Sequence, residues 1–128
     1  SLIPAEIPHG QAAANSGRAA LLIQSLAQAP EHLMDATVDY LHQGYRVPAM
    51  QPSAALVAYL REQQLPAVIS GAGPTVLTFA YGAKEASRVC EFVEKFTAEH
   101  PGNIFENRHL SWRVMPLEID GEGVIVTQ

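Results

Sequence analysis

The 128-residue chain is long enough for one domain that buries roughly two-thirds of its unfolded surface, and its length predicts a single domain over residues 1–128. Its 8 basic and 13 acidic residues give a formal net charge of −5 without a basic stripe, which argues against a nucleic-acid partner. The apolar stretches are too short to span a bilayer, and no secretory signal is visible. A single cysteine excludes an internal disulfide, so we expect a cytoplasmic protein.

Three helices are predicted in the first half of the chain. Ala12–Ala27 carries apolar residues at helical spacing, and Pro30 ends that pattern. A second helix is predicted over Glu31–Gln43, with Gly44 as its left-handed C-terminal cap. A third covers Pro52–Gln63, where the apolar residues again share one face. The apolar repeat of the first helix is Ala19, Leu22, Ile23 and Leu26, and the expected solvated acidic face of the second is Glu31, Asp35 and Asp39.

A β-hairpin and a fourth helix are predicted next. Two short apolar runs, Ala67–Ile69 and Val76–Ala80, have the composition of buried strands and are separated by a turn rich in glycine. Lys84–His100 is the clearest amphipathic helix of the chain, with valine and phenylalanine on one side and charged residues on the other. Cys90 lies on this helix beside acidic residues, which do not favour a reactive thiolate, so we expect it to fill space in the core.

Two closing strands are predicted near the C-terminal end. Leu110–Ile119 alternates in polarity as a strand does, although Pro116 favours an edge position or a bulge. A turn then leads to a last strand at Val124–Thr127. Helices that surround a hairpin and two further strands predict an α+β fold, with an antiparallel sheet covered by helices.

The turn of the predicted hairpin has the composition of an anion-binding loop. Glycine allows positive φ and close approach of the backbone, so that successive amides can point at one phosphate or carboxylate, and two hydroxyls add further donors. An ordinary hairpin turn is the alternative, because the loop fits neither the GxGxxG nor the GxxxxGK[ST] pattern. The loop consists of Ser70, Gly71, Ala72, Gly73, Pro74 and Thr75.

Two arginines are candidates for binding an anionic substrate. Arg18 lies in the first turns of an otherwise apolar helix, where small neighbours leave room for a carboxylate to pair with the guanidinium in bidentate fashion. Asn15 could add a neutral hydrogen bond there, and a solvated arginine at a helix edge is the alternative. Arg46 follows Gly44 beyond the second predicted helix, and its alternative role is to stabilise the carbonyls at the end of that helix.

Four segments together resemble the C-terminal half of the bacterial homoserine kinases, a branch of the GHMP family of small-molecule kinases. The resemblance extends over essentially the whole chain. One departure is Gly10-Gln11, where the family is expected to have Ala-Asp after Pro-His, so the family's polar contacts at that turn are not assigned to this chain. The four segments are Pro8-His9, Asn15-Ser16-Gly17-Arg18-Ala19-Ala20-Leu21-Leu22, Leu41-His42-Gln43-Gly44-Tyr45-Arg46 and Ser70-Gly71-Ala72-Gly73-Pro74-Thr75.

The resemblance implies a ferredoxin-like GHMP kinase C-terminal domain and a part in transferring the γ-phosphoryl of ATP to the hydroxyl of L-homoserine. The family's nucleotide-binding loop, of the Pro-x-x-x-Gly-Leu-Gly-Ser-Ser type, has no counterpart in this sequence. ATP and Mg²⁺ are therefore expected to bind mainly to an N-terminal domain that this chain lacks. Phosphoryl transfer needs a phosphate cradle, a metal site and a positioned nucleophile together, so we expect the isolated chain to be inactive.

The resemblance also implies roles for individual residues. Arg18 and Arg46 are expected to bind the carboxylate of L-homoserine, with Asn15, His9 and His42 near the same substrate. The glycine-rich loop is expected to form a supporting wall around the reacting phosphate. The sequence does not indicate a catalytic group, and no cluster of residues has the spacing of a metal site. The resemblance further implies a homodimer.

Two alternatives remain open from the sequence. The first is a GHMP kinase for another small alcohol, such as mevalonate or a sugar, although two arginines directed at a carboxylate argue against a sugar. The second is a non-catalytic binding module of ferredoxin-like α+β type, for instance one that binds amino acids to regulate an enzyme.

Overall fold

The computed structural model describes residues 2–100 and 112–119. Helices and a hairpin follow one another in an α+β arrangement, and the predicted α+β class is confirmed. The described sheet is a two-stranded antiparallel one. Short 3-10 turns precede α2 and follow α3, at Pro30–His32 and Val47–Ala49. The elements in chain order are α1 (His9–Ala27), α2 (Leu33–Ala36), α3 (Gln43–Arg46), α4 (Gln51–Glu62), β1 (Ala67–Ile69), β2 (Val76–Thr78) and α5 (Gly82–Glu99).

The hairpin and the core next to it have the predicted form. β1 and β2 pair antiparallel, with Ala67 opposite Thr78 and Ile69 opposite Val76. Apolar side chains from α4, α5 and the entry to β1 are buried together, because α4 packs against both the hairpin and α5. This buried cluster consists of Leu56, Leu60, Leu65, Ala67, Val93 and Phe96.

The apolar repeat of α1 lies largely at the surface. The helix itself is confirmed and begins three residues earlier than predicted, at His9. Ile23 is 70% exposed and Leu26 is 39% exposed, whereas the buried residue of this helix is Ser25. The Ser25 hydroxyl donates to the carbonyl of Leu21 at 2.7 Å, which satisfies the buried polar group within the helix. Helical spacing predicted the helix correctly, but it did not indicate which face is buried.

The second predicted helix, over Glu31–Gln43, is wrong as a continuous element. α2 ends at Ala36, and a non-helical segment separates it from α3. The Thr37 hydroxyl and the Thr37 amide both donate to the carbonyl of Leu33, at 2.6 and 3.1 Å, and these bonds close the last turn of α2. Gly44 is therefore not a C-terminal cap but the second residue of α3.

Arg61 joins the α2 region to the hairpin. Its Nη2 donates to the carbonyl of Met34 at 2.7 Å, and its Nη1 donates to the Thr37 hydroxyl at 2.8 Å and to the carbonyl of Ala67 at 3.2 Å. Burial lowers the pKa of this guanidinium, and the negative charge of Asp35 opposes the shift. One side chain of α4 thus connects the segment after α1 with β1.

The predicted strand at Leu110–Ile119 is wrong over its described part. Residues 112–119 have no regular secondary structure, and from Arg113 onward they are exposed. Trp112 packs against the buried cluster, whereas Pro116 has no N–H with which to join a ladder. The predicted turn at residues 120–123 and the strand at Val124–Thr127 lie outside the described residues.

Candidate functional site

Arg18 and Asn15 meet at one residue, Tyr40. The Arg18 guanidinium lies over the Tyr40 ring, 4.7 Å from its centre, and Arg18 Nε donates to the carbonyl of Asp35 at 3.2 Å. The Tyr40 amide donates to Asn15 Oδ1 at 2.9 Å. Because Asn15 and Arg18 are three residues apart on α1, they share a face of the helix. We refer to Asn15, Arg18 and Tyr40 as the arginine cluster.

The arginine cluster leaves much of its guanidinium available. Only Nε of Arg18 is engaged within the described residues, so both Nη groups retain their donors. A guanidinium held by one hydrogen bond and by an aromatic ring is oriented yet can still pair with a carboxylate in bidentate fashion. Tyr40 was not identified from the sequence, because both of its partners lie on α1, 25 positions away in the case of Asn15.

Arg46 is the last residue of α3, so the expectation that it leaves the regular helix is wrong. Its side chain is half-buried and forms no hydrogen bond or ion pair with the residues that the structure describes. α3 begins at Gln43, and a 3-10 turn follows directly from Arg46, so one continuous helical stretch carries this arginine. The free guanidinium remains available to an anion.

Asp39 positions the start of α3 rather than lying on a solvated helix face. Its Oδ2 accepts the amides of Gln43 at 2.6 Å and His42 at 2.8 Å, and its Oδ1 accepts that of Leu41 at 3.0 Å. Partial burial alone raises the pKa of the Asp39 carboxyl, but these three hydrogen bonds and the charge of His42 together lower it below its ordinary value. The carboxylate thus satisfies the amide of the first residue of α3 and the two amides that precede it.

The two histidines predicted near the substrate have different surroundings. His42 Nδ1 is 3.8 Å from Asp39 Oδ1, the imidazole is exposed, and His42 directly precedes the first residue of α3. His9 is the first residue of α1, is exposed, and forms no side-chain hydrogen bond within the described chain. His42 is therefore linked to the Arg46 helix, whereas the structure connects His9 to neither arginine.

Replacing Asp39 with alanine is expected to lower the free energy of unfolding by about 1 kcal/mol at pH 7. The pKa of the Asp39 carboxyl is lower in the folded chain than in the unfolded one. Its stabilising effect is therefore present at pH values above the ordinary aspartate pKa and is lost as the pH falls through the pKa that the carboxyl has in the folded chain. Urea unfolding of the wild type and the variant from pH 7 to pH 3 should show the two curves converging at low pH. Glu91→Ala, an exposed change on α5, serves as the control, and a D39A deficit that persists unchanged at pH 3 would contradict the prediction.

The glycine-rich loop, Ser70–Thr75, is a closed hairpin turn with exposed amides. The Ser70 amide donates to the carbonyl of Thr75 at 2.8 Å, and the Gly73 amide donates to the carbonyl of Ser70 at 3.0 Å. Gly71 and Gly73 have φ values of +58° and +77°, the left-handed conformation that favours glycine. Within the described chain the amides of Gly71 and Ala72 have no acceptor, which leaves two neighbouring donors for an anion.

Neighbouring elements hold the loop from one side. The Ser53 hydroxyl of α4 donates to the carbonyl of Pro74 at 2.6 Å. A Cβ added at Gly73 would lie 3.1 Å from both Ile69 Cγ2 and Met50 Sδ, so Met50 packs directly on the loop backbone. The loop is therefore supported beneath Gly73 and Pro74 and exposed at Gly71 and Ala72.

Gly73→Ala and Gly71→Ala form a matched pair for this loop. Both place a Cβ at positive φ, but Gly71 has open space around it whereas Gly73 does not. We expect G71A to lower the free energy of unfolding by about 1 kcal/mol and G73A by about 2 kcal/mol, because only G73A adds overpacking to the backbone strain. Urea unfolding curves give both values, and equal losses for the two variants would show that Met50 and Ile69 do not restrict this position.

Similarity to curated proteins points to one family. No model of a protein family matches the chain. Three curated relatives named homoserine kinase are similar to it: 61% identity over 79 residues in Streptomyces avermitilis, 60% over 79 residues in Streptomyces coelicolor, and 40% over 126 residues in Clavibacter michiganensis subsp. michiganensis. The last match covers 98% of this chain, whereas each of the first two covers 62%. The chain belongs to the homoserine kinase family.

The chain corresponds to the C-terminal part of these homoserine kinases, and the predicted family is confirmed. It spans 26% of the length of the two Streptomyces relatives and 36% of that of the Clavibacter relative. None of the helices described here has both the length and the apolar character needed to cross a membrane. Over residues 2–100 and 112–119, the histidine, cysteine and acidic side chains form no group that could hold a metal ion.

Proposed function

We propose that this chain forms the homoserine-binding side of an ATP-dependent homoserine kinase. The observation that carries the proposal is the match to the Clavibacter homoserine kinase over 98% of the chain. The product is O-phospho-L-homoserine, an intermediate on the route to threonine. The comparisons provide no support for the alternatives, a kinase for another small alcohol and a regulatory amino-acid-binding module.

The arginines are proposed to bind the substrate's carboxylate. Arg18 is oriented by Tyr40 and by the carbonyl of Asp35, and both of its Nη groups remain available. Arg46 is a second free guanidinium, carried by α3. Two such groups suit one carboxylate, since guanidinium pairs bind carboxylates through parallel hydrogen bonds. Asn15 holds the Tyr40 backbone, and His42 lies beside the carboxylate that starts α3, so both act on the arginines rather than as first contacts.

The glycine-rich loop is proposed to line the reacting phosphate. The amides of Gly71 and Ala72 can donate to phosphate oxygens as negative charge shifts during transfer. In that step the homoserine hydroxyl oxygen bonds to the γ-phosphorus, the bond from phosphorus to the bridging oxygen of ADP breaks, and the hydroxyl proton is released. The described residues offer donors that fit a phosphate but no cluster that fits Mg²⁺, so we assign the metal and most of the nucleotide to the N-terminal part of the full-length protein.

A chimera tests the proposed function. In it, this chain replaces the corresponding segment of the Clavibacter homoserine kinase, which it matches over 126 residues. With ATP, Mg²⁺ and L-homoserine, we expect equal amounts of ADP and O-phospho-L-homoserine from the chimera and neither from the isolated chain. Mevalonate in place of homoserine is the control substrate. A folded chimera without homoserine phosphorylation would contradict the proposal, as would kinase-level ADP formation by the isolated chain.

A further inference from the structure

The segment from Gln43 to Met50, which carries Arg46, contacts the hairpin at both of its ends. At the first end the Ile69 amide donates to Gln43 Oε1 at 2.7 Å. At the other end Met50 packs on Gly73, where an added Cβ would lie 3.1 Å from the methionine sulfur. Two independent contacts therefore hold the 43–50 segment along the base of the glycine-rich loop.

The Gln43 contact satisfies an amide that the hairpin leaves unpaired. Ile69 is the last residue of β1, and its amide donates to Gln43 rather than to β2. The next amide along, that of Ser70, closes the loop onto the carbonyl of Thr75. The side chain of Gln43 thus supplies the acceptor at the point where the strand becomes the loop, and losing it would leave a part-buried N–H without a partner.

We propose that Gln43 is a positioning residue that sets the register of Arg46 against the glycine-rich loop. The inference rests on the proposed function, in which Arg46 binds the substrate carboxylate and the loop lines the phosphate. Gln43 and Arg46 lie within one turn of α3, and Ile69 directly precedes the loop. One hydrogen bond, from the Ile69 amide to the Gln43 side chain, therefore links the two half-sites, which are Arg46 and the glycine-rich loop.

The position of Arg46 relative to the glycine-rich loop matters more for phosphoryl transfer than for binding. Each half-site can bind its own ligand when the other is displaced, but attack requires the hydroxyl oxygen near the γ-phosphorus and roughly in line with the leaving oxygen. Loss of the Gln43 contact should therefore lower kcat and leave the KM for homoserine close to that of the wild type. A purely structural role for Gln43 would instead lower stability without a specific loss of kcat.

Gln43→Met and Gln43→Glu in the chimera test this role. Methionine has a similar shape and no oxygen acceptor, so we expect kcat to fall about tenfold or more, with the KM for homoserine changed less than about threefold. Glutamate keeps Oε1 and suits a helix N-terminus, so Q43E should recover at least half of the wild-type kcat. Met50→Ala loosens the other end of the segment, and we expect it to lower kcat in the same direction.

The control is Thr97→Val on α5, which removes a hydroxyl that donates to the carbonyl of Val93 at 2.7 Å and contacts neither half-site. Urea unfolding of every variant separates stability from turnover. A Q43M kcat equal to that of T97V contradicts the role of Gln43, as does a Q43E enzyme no more active than Q43M. If Q43M does not fold, the M50A variant provides the test, and a kcat of M50A equal to that of the wild type would contradict the positioning role of the 43–50 segment. A wild-type chimera without transferase activity contradicts the proposed function itself and is observed before any variant is made.

Discussion

Replacing Arg61 with methionine is expected to lower the free energy of unfolding by about 3 kcal/mol, measured by urea unfolding of the purified chain. The guanidinium donates to three oxygens, two of them on the segment after α1 and one on β1. Methionine retains the apolar stem but leaves these acceptors without their donor. The loss should also release the carbonyl of Asp35, which orients Arg18 and lies next to one of the Arg61 acceptors, Met34.

Two further variants make the Arg61 result specific. Arg61→Lys retains the charge, but an ammonium cannot reproduce the planar fork of donors, so we expect it to recover less than half of the lost stability. Arg88→Met is the matched control: Arg88 is exposed on α5, with its guanidinium 5.8 Å from the centre of the Phe92 ring. Its loss should cost less than about 1 kcal/mol. Equal losses for R61M and R88M would show that the three hydrogen bonds of Arg61 contribute little.

Arg18→Ala and Arg46→Ala are each expected to raise the KM for homoserine about 30-fold or more in the chimera, because each removes a proposed charged partner of the substrate carboxylate. The KM for ATP should change little, since neither residue is assigned to the nucleotide. Steady-state rates of O-phospho-L-homoserine formation at varied homoserine and saturating ATP give the values. Homoserine kinetics unchanged by either substitution would remove that arginine from the proposed site.

Lysine substitutions separate charge from geometry at the same positions. Arg18→Lys retains a positive charge but loses the bidentate pairing and much of the stacking on Tyr40, so we expect it to recover only part of the affinity. Tyr40→Leu is the companion variant, because it removes the ring beneath Arg18 and leaves the guanidinium in place. A Y40L enzyme with an unchanged KM for homoserine would show that Arg18 does not need this orientation.

Elements with a strong local pattern could be predicted from the sequence. α4 and α5 carry apolar residues at helical spacing and lie within one or two residues of their predicted bounds. The hairpin follows from two β-branched runs around glycines, and the observed positive φ at Gly71 and Gly73 is the reason that glycine occupies these positions. In each case the deciding interactions lie within a few residues of one another.

The break between α2 and α3 could not be predicted in this way. Helical spacing continues through this region, but the carboxylate of Asp39 accepts three amides and starts a new helix. The N-terminal signal of a helix is a capping residue directly before it, but that position is His42 and Asp39 lies three residues earlier, so the usual rule did not indicate the start of α3. The spacing of apolar residues alone does not reveal when a side chain competes for the backbone.

The residue types of the site were evident in the sequence, and their arrangement was not. Arg18, Arg46 and the glycine-rich loop stand out by composition, because guanidinium groups and exposed amides suit anionic ligands. The contacts that place them join residues far apart in the chain, since Tyr40 lies 25 positions from Asn15 and Ile69 lies 26 from Gln43. Such contacts form only when the helices and the hairpin pack together, and no local pattern specifies which distant side chain completes each one. The sequence thus established the family, the α+β class and the candidate anion-binding groups, whereas the roles of Tyr40 and Gln43 emerge only from the packing of elements that are distant in sequence.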